Sequence, residues 1–111
     1  MDVETFVPEL LSALAQNGLF KQITLDIDED IASGRVHISE TQFLRLYFNG
    51  ITDVMAFALI DNERRIWGID RDNIRGWHLH PADNPDSHVA IEPLTIPEIT
   101  ARLAEVVSNQ P

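Results

Sequence analysis

Hydrophobic residues at the start of the chain recur with the spacing of an amphipathic helix. The positions that form this stripe are Val3, Phe6, Val7, Leu10, Leu11 and Leu14, which follow the i, i+3, i+4, i+7 pattern. We predict a helix with Thr5 as its N-cap and Pro8 in its first turn, where a missing N–H breaks no helical hydrogen bond. Asn17-Gly18 is a typical helix end.

After this helix the pattern changes to alternation of apolar and polar residues, which is typical of half-buried strands. The segments with strand character are 22–27, 36–38, 42–48, 54–60 and 64–70, and the fourth of them is apolar on both faces. Short turns such as Asp61-Asn62-Glu63 join these segments. We therefore predict an antiparallel sheet of about five strands connected as a meander.

The end of the chain returns to helical spacing. Thr95 and Glu98 form a T-x-x-E capping box, and Pro97 is tolerated in a first turn. The apolar stripe that follows is Ile96, Ile99, Leu103, Val106 and Val107. The predicted fold is a single α+β domain over residues 1–111, in which the N-terminal and C-terminal helices pack on the sheet.

Composition limits the class of protein. The 111 residues include no cysteine, which excludes disulfides and thiolate metal sites and suits a reducing compartment. We find no signal-peptide pattern in MDVETFVPELL and no apolar run near the roughly 20 residues that span a bilayer. We expect a cytoplasmic protein that does not enter a membrane. Because so short a chain has a small core, some apolar surface could be buried in a homodimer or against another partner.

Charge is distributed unevenly. The net charge is −10, and DIDED at 26–30 places four carboxylates in five residues. In contrast, 64–80 contains four arginines and only two aspartates. A surface this acidic repels nucleic acid at long range, so any phosphate must be bound by a local basic patch.

Residues 71–94 overlap this basic part of the chain, and we expect them to form a long polar loop. It contains His78, His80 and His88, three of the four histidines. If 76–80 is extended, His78 and His80 point the same way about 7 Å apart. A turn over ADNPDS would bring His88 back to them.

The residues alone leave three interpretations open. H-x-H with a third histidine can bind zinc. Alternatively, RNA could be cleaved through its own 2′-hydroxyl, with His78 or His80 as base, His88 or the other of that pair as acid, and Arg71 or Arg75 holding the phosphate. The third interpretation is that the histidines are simply solvated and the arginines pair with carboxylates.

One resemblance favours RNA cleavage. RDN at 71–73, H-x-H-P at 78–81, His88 and a short apolar helix near the C-terminus resemble the TumE-like toxins of prokaryotic toxin–antitoxin modules. Asp72 and Asn73 match that family's Asp-Asn pair, and the histidines match its histidine clusters. The resemblance implies a small cytoplasmic RNA-cleaving growth inhibitor that a cognate antitoxin protein neutralises.

The leading hypothesis is therefore a metal-independent endoribonuclease without a cofactor. In it the three histidines transfer protons and Asp72 orients one of them. Arg71, Arg75 and Asn73 bind the RNA. The alternatives are a non-catalytic protein-interaction or assembly module and a histidine-based metal-binding protein.

Overall fold

The structure, a computed structural model, describes residues 1–19 and 21–110 and contains two helices and seven strands in that part of the chain. In chain order the elements are α1 (Val3–Gln16), β1 (Gln22–Asp28), β2 (Ile31–His37), β3 (Gln42–Asn49), β4 (Met55–Asp61), β5 (Arg64–Asp72), β6 (Gly76–His80), β7 (Val89–Ala90) and α2 (Ile96–Ser108). Every strand pairs antiparallel with the next, so the sheet order is β1 to β7. The predicted α+β meander is confirmed, with seven strands rather than about five.

The two additional strands lie inside the segment predicted as a loop. A tight turn separates β5 from β6, because Asp72 Oδ1 accepts hydrogen bonds from the N–H groups of Ile74 and Arg75 at 2.9 and 2.6 Å. Gly76 then has a φ of +69°, which favours glycine. β7 has only two residues, too few to show alternation. The prediction of a continuous loop over 71–94 was wrong, because the turn held by Asp72 and the short strand β7 leave no periodic pattern in the sequence.

One face of the sheet packs against both helices and forms the core. Val36, Leu44, Leu59 and Trp67 lie side by side across four strands on this face, and all are buried. From α1, Phe6 stacks on Phe48 with ring centroids 4.2 Å apart. Burial of each such side chain contributes about 1.5–3 kcal/mol.

The helix caps agree with the prediction at one helix and not at the other. α2 has the predicted capping box, with reciprocal hydrogen bonds between Thr95 and Glu98. α1 is capped by Asp2, whose Oδ1 accepts the N–H of Thr5 at 2.8 Å. The predicted Thr5 cap is wrong because Asp2 offers an acceptor three residues earlier, and Pro8 consequently lies beyond the first turn. Neither helix of the described residues is long and apolar enough to cross a membrane.

We call the other side of the sheet, which neither helix covers, the open face. Strand register places two rows of side chains across it. The first row is Ser33, Tyr47, Ala56, Asp70 and His78, and the second is Arg35, Arg45, Ala58, Gly68 and His80. The open face therefore carries two of the predicted histidines at one end and two arginines at the other.

Candidate functional site

Three imidazoles meet at the β6 end of the open face. We call His78, His80 and His88 the histidine cluster. Their ring centroids are 5.2 Å (His78–His80), 5.5 Å (His78–His88) and 4.6 Å (His80–His88) apart. One nitrogen atom from each ring lies within 4.8 Å of the others. His78 and His80 are 4% and 1% exposed, whereas His88 is exposed.

The cluster forms because the segment after β6 folds back over it. The N–H of Asn84 donates to Pro81 O, and the N–H of Ser87 donates to Asn84 O, which makes two consecutive turns. Val89 then pairs with Leu79, so the chain returns alongside β6. The predicted return of His88 to His78 and His80 is confirmed, while the chemical roles of these residues stay predictions.

Asp70 is the carboxylate that connects the two buried histidines. Its Oδ2 lies 3.0 Å from His80 Nε2 and 3.3 Å from His78 Nε2. Asp70 and His78 are directly opposite each other in the β5–β6 ladder, which explains the contact. Sequence reasoning missed Asp70 because it took the chain after Asp70 to be a loop. The alternation of Gly68, Asp70 and Asp72 on one side of a hairpin was the signal that could have found it.

Backbone carbonyls hold the other nitrogen of both buried rings. His80 Nδ1 lies 3.0 Å from Pro85 O, and His78 Nδ1 lies 3.3 Å from Gly76 O. Because a carbonyl oxygen can only accept, each Nδ1 is the protonated donor. In the neutral form of either histidine, the lone pair is therefore on Nε2; that of His80 faces Asp70 Oδ2, and His78 Nε2 lies 3.3 Å from the same oxygen.

Asp72 and Arg75 lie beside the cluster but act mainly in the β5–β6 turn. The N–H groups of Arg75 and Ile74 hold the pKa of Asp72 below its ordinary value. Asp72 Oδ2 is 4.0 Å from His78 Nδ1, which is too long for a hydrogen bond but close enough for an electrostatic effect. The structure thus places the predicted orienting carboxylate next to one histidine only.

Arg71 and Asn73 lie away from the cluster. Alternation along β5 puts Arg71 on the opposite side of the sheet from Asp70, where it pairs with Trp77. Its Nη1 donates to Asp53 O at 2.9 Å and to Asn73 Oδ1 at 3.3 Å. These two predicted RNA-binding residues instead connect the β5–β6 turn to the loop before β4.

The surroundings of His88 favour its neutral form. Partial loss of hydration is the main cause that lowers its pKa, and the positive charge of Arg75 adds to the effect. A neutral, exposed imidazole can accept a proton from a bound substrate. Of the three histidines, His88 is therefore the one placed for direct contact with a ligand.

A depression of about 480 Å³ lies on the open face and reaches Asp70, beside the cluster. We call it the arginine groove. Its lining is Ser33, Gly34, Arg35, Arg45, Leu46, Tyr47, Ala56, Ala58, Arg65 and Asp70. Asp70 thus belongs to the groove and also contacts the imidazoles. Within the described residues, none of the three groove arginines forms an ion pair with a carboxylate.

Arg65 reaches this face because of a β-bulge. The β4–β5 register shifts between Leu59 and Ile60, so that Trp67 pairs with Leu59 while Arg65 pairs with Ile60. Without the extra residue, Arg65 and Trp67 would lie on the same side, since side chains two apart in a strand share a face. The bulge therefore adds a third arginine to the groove, next to the histidine cluster.

Gly68 allows β5 to approach β4 closely at a position beside His80. A Cβ at this position would lie 2.9 Å from Phe57 O and 3.6 Å from His80 Cδ2. A side chain here would press on the backbone of β4, whereas the distance to the imidazole is an ordinary van der Waals contact. A glycine at this position therefore preserves the pairing of the two strands next to the cluster.

Comparison with protein-family models, with curated proteins and with solved structures finds no match to this chain. The geometry of the open face and the residues that form it therefore indicate what the chain can do.

Proposed function

We propose that the open face cleaves RNA and that the protein is a TumE-like toxin of a toxin–antitoxin module. The observation that carries the proposal is the position of the histidine cluster at the end of a groove lined by three arginines without carboxylate partners. Groups for proton transfer and groups for binding a phosphodiester lie on one surface.

The arginine groove supplies the local positive charge that the rest of this acidic chain lacks. A guanidinium can bind two oxygens of a phosphate through two parallel hydrogen bonds. Tyr47 adds an aromatic ring on which a base can stack, while Ala56 and Ala58 keep the floor of the groove low. In this proposal Arg65 binds the phosphate that is cleaved, because the bulge directs it toward the cluster.

His88 is the proposed general base. It accepts the proton of the 2′-hydroxyl, whose oxygen forms a bond to phosphorus as the bond from phosphorus to the 5′ oxygen breaks. His78 and His80 are buried and act as positioning residues that hold Asp70 and the returning loop in place. The mechanism also needs an acid for the 5′ oxygen, and no second exposed histidine of the described residues lies at the cluster.

A toxin of this type would be neutralised by a cognate antitoxin protein, whose binding would cover the arginine groove or the cluster. RNA is the proposed substrate, and the 2′-hydroxyl is the feature that distinguishes it from DNA.

A growth assay tests the proposal in cells. We expect induced expression of the wild-type chain to arrest growth and to fragment cellular RNA. The variant His88→Ala should relieve both effects, whereas His37→Ala, which changes the one histidine outside the cluster, should not. Equal growth of wild-type and His88→Ala cells, at equal protein levels and with intact RNA in both, would contradict the proposal.

A further inference from the structure

The two buried histidines and Asp70 present three electron-pair donors to one point. Because the Nδ1 atoms of His78 and His80 donate to backbone carbonyls, their Nε2 atoms carry the lone pairs when the rings are neutral, and both Nε2 atoms lie within 3.3 Å of Asp70 Oδ2. Two buried imidazole acceptors this close to a partly exposed carboxylate are unfavourable unless a proton or a cation lies among them.

Protonation alone does not satisfy the two Nε2 atoms and the carboxylate together. A single proton can bridge only one of the two nitrogen–oxygen contacts. Two protons would place two buried imidazolium groups against a single contacting carboxylate, Asp70, with Asp72 only at 4.0 Å and with Arg65 and Arg75 nearby. Burying an excess of charge of one sign is costly. A divalent cation, in contrast, can accept all three donors together.

The geometry points to a binding site for a divalent first-row transition metal, with His78 Nε2, His80 Nε2 and Asp70 Oδ2 as ligands. Ligands at about 2.05 Å from a tetrahedral zinc ion are about 3.3 Å from one another. The two distances from Asp70 Oδ2, 3.0 and 3.3 Å, match that spacing. Imidazole ligands favour zinc and its neighbours over magnesium and calcium, which prefer oxygen.

The surroundings of these ligands have the arrangement common to histidine metal sites. In such sites the non-ligating Nδ1–H donates to a carbonyl or carboxylate, which fixes the ring and makes Nε2 a better ligand. Gly76 O and Pro85 O fill this role here, and the carboxylate of Asp72 lies 4.0 Å from His78 Nδ1. Three protein ligands leave a fourth position open in a tetrahedral site, and the ring centroid of His88 lies 5.5 Å from that of His78 and 4.6 Å from that of His80.

The site itself stands on this geometry, but its part in catalysis rests on the proposed function. A water molecule bound at the open position would be the missing acid, because a divalent cation lowers the pKa of water toward neutrality. That water protonates the leaving 5′ oxygen, and His88 then returns the proton from the 2′-hydroxyl to the resulting hydroxide. RNA cleavage would then depend on metal, unlike the metal-free mechanism expected from the sequence.

Metal titration of the purified chain, without a histidine tag and after removal of metal by EDTA, tests the site directly. We expect one Zn²⁺ per chain by calorimetry, and Co²⁺ should give the intense visible absorption of a tetrahedral site. Mg²⁺ should give no binding. Asp70→Asn and His80→Gln, which keep side-chain size, should each weaken Zn²⁺ binding by more than about 100-fold. His37→Ala should bind like the wild type.

The variant His88→Ala tests whether the fourth coordination position of the metal is open or is occupied by His88. We expect it to retain Zn²⁺ affinity within about tenfold of wild type, because His88 is beside the ion rather than a ligand. A loss as large as that of His80→Gln would overturn the assignment of His88. Circular dichroism and a rise in the melting temperature with Zn²⁺ verify that each variant is folded and report binding independently.

Failure of this inference is distinguishable from failure of the proposed function. A folded wild-type chain that binds neither Zn²⁺ nor Co²⁺, yet cleaves RNA in EDTA, would overturn the metal site and leave RNA cleavage standing. Metal binding that Asp70→Asn and His80→Gln abolish, in a chain that leaves RNA intact with or without Zn²⁺, would support the site and contradict the ribonuclease.

Discussion

Replacement of Gly68 by alanine tests the close approach of β5 to β4 at the position beside His80. The new Cβ would lie 2.9 Å from Phe57 O, a backbone atom that cannot move without disturbing β4. Overpacking of this kind costs about 1–3 kcal/mol in the free energy of unfolding. For a chain of this size we expect the melting temperature to fall by about 4–12 °C.

Two other glycines provide the comparison. At Gly50 a Cβ would meet its nearest atoms at 3.5 Å, an ordinary contact, so Gly50→Ala should change stability by less than about 0.5 kcal/mol. At Gly34 a Cβ would lie 2.0 Å from Thr24 O, so Gly34→Ala should cost more than Gly68→Ala. Urea unfolding followed by circular dichroism measures all three.

The expected order of destabilisation is Gly34→Ala, then Gly68→Ala, then Gly50→Ala. If Gly68→Ala were as stable as the wild type, the close packing of β5 against β4 at this position would be refuted. Equal losses at Gly68 and Gly50 would show that the 2.9 Å contact with Phe57 O is not the cause of the effect.

Three further predictions concern the helix cap, the β5–β6 turn and the groove. Thr95→Ala removes the acceptor for the N–H of Glu98 and should lower the unfolding free energy by about 1 kcal/mol in urea denaturation; no change would contradict the capping box. The pKa of Asp72 is lowered in the folded state, so its stabilising contribution is present above the unfolded-state pKa and is lost as pH falls through the folded-state value. Stability should therefore fall less steeply in acid for Asp72→Ala than for the wild type, and parallel pH curves would refute this. Arg65→Gln should weaken RNA binding and reduce its salt dependence, as measured by fluorescence anisotropy. Arg102→Gln, on the exposed side of α2, should do neither. Equal effects of the two substitutions would indicate nonspecific attraction.

The parts of the fold that could be predicted are those with a long periodic signal. Alternation over 42–48 and the capping box at Thr95 correspond to β3 and to the start of α2. The Thr5 cap was not correct, because both Asp2 and Thr5 are good cap residues and the hydrophobic stripe does not decide between them. β6 was recognised as extended only conditionally, since five residues carry too little periodicity to establish a strand.

The candidate site likewise contains residues that could be predicted from the sequence and residues that could not. Convergence of His88 on His78 and His80 could be inferred, because a turn-rich segment of seven residues separates it from the H-x-H pair. Asp70 could not be placed without the β5–β6 register. Arg65 was hidden by the bulge, since simple alternation would place it with Trp67. Contacts that depend on register or on a local irregularity are not visible in one sequence.

Cleavage of a defined oligonucleotide most directly tests the central claim. The substrate is a labelled single-stranded RNA, compared with the same sequence in DNA, which lacks the 2′-hydroxyl. We predict that the wild-type chain with Zn²⁺ cleaves only the RNA and leaves 2′,3′-cyclic phosphate ends. His88→Ala, purified in the same way, should cleave at least about 100-fold more slowly, and His37→Ala should cleave normally. Intact RNA, or equal cleavage by wild-type and His88→Ala protein, would contradict the account.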